Sequence, residues 1–274
     1  MDPIAPVTPL PSASILLIRD GLRGLEVMMM KRAETMRFAP GVYVFPGGKV
    51  DEGDHRSYFW RKYISPEAQF DDLALRIAVL RELYEEAGIL YTEGQCTRHI
   101  GARSSLSSAL AYAQDYLAVE QLIPFSHWIT PIQAGRRFDT LFYLAPLYRE
   151  EEGVEDGSEM IAKRWVRPKE LLKNWRKGDI PIMFPTRLNL ERLSKASSVA
   201  EALKQAPHHP VMPILPEYKL CNEAEPKLFI PAEAGFGITE ATAQDIAAEA
   251  KIMTRMKATR QAQQITRKQL HRDE

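Results

Sequence analysis

The stretch from residue 72 to residue 87 constrains the fold more than any other part of the chain. Leu73, Ile77, Leu80, Tyr84 and Ala87 recur every three or four positions, which is the spacing of one apolar helix face. Gly88 follows where a helix needs a residue that turns left-handed. A helix with one apolar side must lay it against something, and the flanking segments read as strands. Ser14–Arg19 is short and β-branched and is bounded by Asp20-Gly21; Leu25–Met30 reads as its hairpin partner; Gly41–Phe45 is a third strand, broken by Pro46-Gly47-Gly48. Further on, residues 107–122 read as helix and 127–131, 137–147 and 162–166 as strands. Pro168 opens a helix that Gly178 closes, residues 185–205 hold one or two more, 206–238 are proline-rich and irregular, and 239–272 carry a long helical pattern. That order is α/β or α+β, not all-α or all-β.

Composition narrows the function classes. A chain of 274 residues with 45% hydrophobic residues buries a core without disulfides or structural metal. Lys+Arg and Asp+Glu are both 36, so no global field points to nucleic acid or an anionic membrane, and neither is expected as a partner. No apolar run approaches the ~18 residues of a membrane helix. The N-terminal residues lack the basic and apolar regions of a signal peptide, and the C-terminus is no peroxisomal or ER-retention tripeptide. Cys96 and Cys221 form no CxxC pair and read as reduced thiols. A cytoplasmic location is the resulting expectation.

The chemistry concentrates on the polar side of the 72–87 helix. At about 100° per residue, Glu85 and Glu86 fall about 60° and 40° to either side of Glu82, so three carboxylates share one face. Like charges three and four apart destabilise a helix. Arg81 can neutralise part of the charge and a hard divalent cation the rest; Mg²⁺ favours carboxylate and phosphate oxygens. A solvated acidic face is the other reading of the same residues.

Context decides between them. The helix is preceded by Phe45-Pro46-Gly47-Gly48 and contains Arg81-Glu82-Leu83-Tyr84-Glu85-Glu86-Ala87-Gly88-Ile89, which resembles the Nudix hydrolase box, G-x5-E-x7-R-E-U-x-E-E-x-G-U with U aliphatic. The second half is complete. In the first half, Asp54 stands six residues after Gly48 where the family has Glu, and Arg81 stands 33 residues after Gly48, 19 more than the pattern. The excess, about residues 55–73, is aromatic and charged and is expected as an inserted helix or lid, or else a surface loop. The resemblance implies an α/β/α sandwich, a mixed sheet between helices, that hydrolyses a nucleoside diphosphate linked to another group with Mg²⁺ or Mn²⁺. It implies Gly48, Glu82, Glu85 and Glu86 as metal ligands, Glu82 or Glu159 as general base, and Arg81 as the group orienting the carboxylates.

A second motif lies upstream. The coenzyme A diphosphatases of this family carry L-L-T-x-R-(S/A)-x3-R-x3-G-x3-F-P-G-G, and Arg32-Ala33, Arg37, Gly41 and Phe45-Pro46-Gly47-Gly48 fall at that spacing, with Met28-Met29-Met30 replacing the leading triplet. Guanidinium groups suit phosphate recognition, and glycines let the backbone approach a ligand. The resemblance thus implies Arg32, Arg37, Gly41, Phe45 and Gly47 as substrate-binding residues. The expected reaction is hydrolysis of coenzyme A or acyl-CoA to adenosine 3′,5′-bisphosphate and (acyl-)4′-phosphopantetheine. The rivals are hydrolysis of ADP-ribose or a dinucleotide such as NADH, and a non-catalytic nucleotide-binding module. Trp128–Pro131 and Arg137–Thr140 also resemble the larger CoA-hydrolysing members.

The expected organisation is a lead-in at 1–11, a Nudix domain at 12–190 and a helical, irregular C-terminal extension at 191–274. His208-His209 reads as loop rather than metal site. Met28–Met30 reads equally as core strand or acyl pocket. The basic residues from Lys251 to Arg272 read as a solvated helix end or a homodimer contact, ahead of the alternative of binding RNA or acidic lipid.

Overall fold

The computed structural model describes residues 7–34, 40–94, 97–98, 105–148, 160–220 and 226–270. Arg37, Cys96, Glu159 and Cys221 therefore lie outside the described residues. The hairpin forms as expected: β1 (Leu10–Gly21) and β2 (Gly24–Arg32) pair antiparallel across the Gly21–Gly24 turn. Then come β3 (Tyr43–Val44), β4 (Gly47–Lys49), α1 (Ser57–Trp60), α2 (Leu73–Ala87), β5 (Ile89–Leu90), β6 (Thr97–Arg98) and α3 (Leu106–Ala113). The second half holds β7 (Ile123–Ile129), β8 (Phe138–Pro146), β9 (Met160–Val166), α4 (Pro168–Arg176), α5 (Phe184–Leu193) and α6 (Val199–Gln205). It ends with β10 (Pro213–Ile214), β11 (Glu217–Leu220), β12 (Pro226–Phe229) and α7 (Ala243–Leu270).

Among the described residues, eight strands make one mixed sheet in the order β10–β7–β8–β1–β2–β3, with β4 added to β1 and β9 to β2. β1 runs parallel to β8 along its length, and its free side is shared: Ser12–Ser14 pair with β4, and Ile18–Gly21 pair with β2. Alternation along the strands sends side chains to two cores. Ile15, Leu17, Met28, Met30 and Tyr143 pack with Ile77, Leu80, Leu83 and Tyr84 of α2. Leu16, Ile18, Met29, Phe142 and Leu144 pack with Leu171, Trp175, Leu188 and Leu193 of α4 and α5. The sheet therefore lies between helical layers, the expected α/β/α sandwich. All three methionines are fully buried, so the triplet belongs to the cores on both faces.

Three segments differ from the sequence reading. The helix expected at 107–122 stops at Ala113, where Gln114 turns left-handed (φ 53°), and Leu117 instead forms a bridge with Thr92. Residues 206–238 are not irregular throughout: β10 joins the sheet beside His127 and Trp128, and β11 and β12 form a hairpin. Strands of two to four residues are too short to show a period, and their partners are remote. Residues 55–72 form short helical turns whose Trp60, Ile64 and Ala68 are buried with α2. His208 closes a short turn, and the His209 ring sits edge-on to Phe125, in keeping with a packing role.

The chain beyond residue 191 is bound closely to the rest. Asp245 of α7 pairs with Arg187 of α5 at 2.7 Å, both buried, and Glu249 accepts the Phe184 N–H at 3.0 Å. Ile252 and Met256 continue the same stripe into the α2-side core, and Thr259 donates to the Glu34 carbonyl at 3.3 Å. Among the described residues no helix is long and apolar enough to cross a membrane.

Candidate active site

α2 is anchored at both ends. Gly88 takes the left-handed conformation (φ 67°) and its N–H bonds back to the Tyr84 carbonyl at 3.0 Å. At the other end Arg76 is buried, bonding Asp72 at 2.7 Å and the carbonyls of Val119 and Leu122 at 2.7 and 2.8 Å, while the Tyr143 hydroxyl donates to Asp72 at 2.7 Å. Burial, then the bond to Asp72, keeps the Tyr143 hydroxyl well above its ordinary pKa, so it remains a donor. Sequence reading missed this trio. Its only signal was an arginine on an otherwise apolar helix face.

The acidic turn of α2 meets the glycine strand β4. Gly48 pairs with Ala13 of β1, and a Cβ on Gly48 would sit 2.4 Å from a Glu82 carboxylate oxygen. The Gly47 N–H donates to Glu86 at 3.0 Å, and a Cβ there would meet the Ala13 carbonyl at 2.3 Å. Both glycines are needed because backbone and carboxylates approach this closely. Glu86 is buried and Glu85 is half exposed.

Arg81 organises the cluster. Its Nε and one Nη grip Asp54 at 3.1 and 3.0 Å, and that Nη also reaches the Lys49 carbonyl at 3.1 Å. The other Nη donates to Glu82 at 2.8 Å and Glu85 at 3.1 Å. Burial works against the guanidinium charge, but Asp54 and Glu82 outweigh it and raise its pKa. Asp54, 2% exposed, also accepts the Asp51 N–H at 2.8 Å. The intervening residues thus leave Asp54 in contact with the box arginine, although 27 residues separate them.

The Glu82 charge is answered only in part. Burial pushes its carboxyl above the usual carboxylate range, and the Arg81 guanidinium offsets this only in part. Among the described residues no group of three or more metal-ligating side chains closes on one point, since Glu82 and Glu85 are drawn to Arg81 and Glu86 to the Gly47 amide. In donor chemistry the set still fits a hard cation: oxygen ligands only, one turn of helix, and a half-buried carboxylate whose charge Arg81 offsets only in part.

The upstream motif is placed in part. Arg32 ends β2; its N–H bonds the Val42 carbonyl at 3.1 Å and its own carbonyl accepts the Gly41 N–H at 3.2 Å. Gly41 is left-handed (φ 67°), and a Cβ would meet the Glu34 carboxylate at 2.2 Å. Phe45, expected as a substrate-binding residue, is 3% exposed and edge-on to Phe142 in the core facing α4 and α5. There it anchors the loop that presents the glycines.

The sandwich, the glycine strand and the arginine-centred acidic turn together define a Nudix protein, and the chain belongs to that family. Residues 62–193 match the model of the NUDT19 Nudix domain. The chain is 33% identical over 194 residues to nudix hydrolase 7 of Caenorhabditis elegans, an alignment covering 67% of this chain and 60% of that one. It is 24% identical over 245 residues to the human acyl-coenzyme A diphosphatase NUDT19, covering 66% and 64%. It therefore spans less than two thirds of the length of these relatives. Among solved structures, a NUDIX hydrolase from Alicyclobacillus acidocaldarius superposes with a TM-score of 0.61 at 27% identity, covering 72% of this chain and 96% of that one.

Proposed function

We propose that this protein is a metal-dependent diphosphatase that cleaves coenzyme A or acyl-CoA into adenosine 3′,5′-bisphosphate and (acyl-)4′-phosphopantetheine. The observation that carries the hydrolase reading is the contact of Gly47 and Gly48 with Glu86 and Glu82, which sets a backbone edge against the carboxylates of the acidic turn. Glu82, Glu85, Glu86 and the Gly48 carbonyl would hold Mg²⁺ or Mn²⁺, which when bound neutralises diphosphate charge and makes water a better nucleophile. Arg81 keeps two donors on Asp54 and so holds the acidic turn in register with β4. Glu82 or Glu159 takes the proton of the attacking water.

The coenzyme A reading rests on the upstream motif and on similarity to proteins named acyl-CoA diphosphatases. Arg32 and Arg37 would hold substrate phosphates, and Gly41 would let the backbone approach the ligand. The test is hydrolysis of CoA, acyl-CoAs, ADP-ribose and NADH with Mg²⁺ or Mn²⁺. CoA-type substrates should lead in kcat/KM; preference for ADP-ribose, with Arg32→Ala and Arg37→Ala silent on CoA, removes the CoA reading and leaves the hydrolase.

A further inference from the structure

The core facing α4 and α5 holds a cation that no acid answers. Arg192, in the last turn of α5, is 3% exposed. One Nη donates to the Phe125 carbonyl of β7 and the other to the Ala234 carbonyl of the short turn Ala232–Ala234, both at 2.8 Å. The guanidinium lies 3.7 Å from the centre of the Phe236 ring. These neutral groups orient the charge without cancelling it. Among the described residues no carboxylate pairs with Arg192, and its buried Nε has no acceptor. Burial alone lowers its pKa, to about 10, so it stays charged at neutral pH. A buried guanidinium with an idle donor calls for an acceptor from outside the chain.

The space beside it has room for one. Arg192, Lys195, Gly235 and Phe236 border a cavity of about 60 Å³, well above what a single water fills. Lys195 stands one turn past Arg192, with its N–H on the Arg192 carbonyl at 3.3 Å, and is exposed. Glu191 is the acid of the cavity wall, but its two oxygens face Arg187 at 2.7 Å and Arg176 at 3.9 Å. Arg187 and Arg176 against Glu191 and Asp245 sum to zero, which leaves Arg192 and Lys195 as surplus positive charge. His209 registers that surplus: burial, then Arg192, Lys195 and His208, hold its pKa below the ordinary value.

We propose that Arg192 and Lys195 bind a small inorganic oxyanion of phosphate size, on the sheet face opposite the acidic turn. Its oxygens accept from the guanidinium and the ammonium, which makes the bonds charge-assisted. Because Arg192 ties α5 to β7 and to the Ala232–Ala234 turn, the bound anion braces the C-terminal segment against the sandwich. The site is independent of the diphosphatase reading, since no residue of the acidic turn or of the upstream motif belongs to it.

The test titrates the full chain with inorganic phosphate in EDTA, with chloride added to hold ionic strength, and reads calorimetric heat and Tm. Without metal the acidic turn repels phosphate. Wild type should bind one phosphate per chain with a saturable heat, and its Tm should rise with phosphate. Lys195→Ala, at an exposed position, should fold as wild type does, bind phosphate about tenfold more weakly and show a smaller Tm rise. Lys195→Arg should keep the affinity, and Arg32→Ala should bind as wild type does. Arg192→Met should lose binding; if it fails to fold, the two Lys195 variants still decide. No saturable binding in the wild type, or equal binding in wild type and Lys195→Ala, overturns the proposal. Binding lost in Arg32→Ala but kept in Lys195→Ala puts the phosphate at the upstream motif and overturns it as well.

Discussion

At the scale of single residues, the site depends on how one arginine is shared among three acids. Asp54 fixes Arg81 through two donors, which leaves one nitrogen for Glu82 and Glu85. Asp54→Asn removes one of the three carboxylates that Arg81 bonds and weakens two charge-assisted hydrogen bonds, a change that costs about 1.5–3 kcal/mol. Chemical denaturation should show that loss, and turnover should fall as well, because Arg81 then turns fully onto the α2 carboxylates. Glu86→Gln differs in kind: its Oε can still accept the Gly47 N–H, so the fold should survive while turnover drops by orders of magnitude. Near-normal turnover in Glu86→Gln would remove it from the metal set. For Glu159→Gln the expected change is in kcat with KM held; an unchanged kcat returns the base role to Glu82.

At the scale of elements, α7 offers the clearest test because its contacts are few and distinct. Asp245 is fully buried and bonds Arg187 while also accepting the Thr242 N–H and hydroxyl at 2.8 and 2.7 Å. Asp245→Asn should destabilise by about 3–5 kcal/mol, since Arg187 stays buried with only Glu191 to answer it. Glu249 behaves oppositely. Burial raises its carboxyl pKa, so the folded state holds the proton more tightly than the unfolded chain. The stability this gives is present below the ordinary value of 4.5 and is lost as pH rises through the folded value. Glu249→Gln keeps an acceptor for the Phe184 N–H and has no charge to bury. Its melting temperature should exceed wild type at pH 7 and converge with it near pH 4. Parallel Tm–pH curves would show that Glu249 does not titrate with folding.

At the scale of the whole molecule, stability and metal binding separate. Both cores are built from apolar side chains, and neither needs an ion to close. Chelation should therefore stop turnover without unfolding the protein. A cation that binds the folded state alone stabilises it by mass action. Added Mg²⁺ should raise the Tm of wild type progressively with concentration and leave the Glu85→Gln/Glu86→Gln variant unmoved. Equal shifts in both would place the cation elsewhere.

The sequence by itself determined what depends on neighbours along the chain. The period of α2, its stop at Gly88, its three-acid face and the β1–β2 hairpin are local, because helix faces and tight turns are set by residues a few positions apart. The glycine strand was not: Gly47 and Gly48 read as the break after a strand, yet they form β4, because their partner is the remote segment Ser12–Ser14 of β1. Tertiary structure alone decided everything that needs a distant partner. Asp54 returns to Arg81 because the intervening residues bury Trp60, Ile64 and Ala68 beside α2, and no local pattern encodes that. Phe45 sits in a substrate motif, yet the hydrophobic effect takes it into the core. The C-terminal chain reads as a helical extension, but where α7 docks needed distant partners: Asp245 and Arg187, both buried, pair across 58 residues.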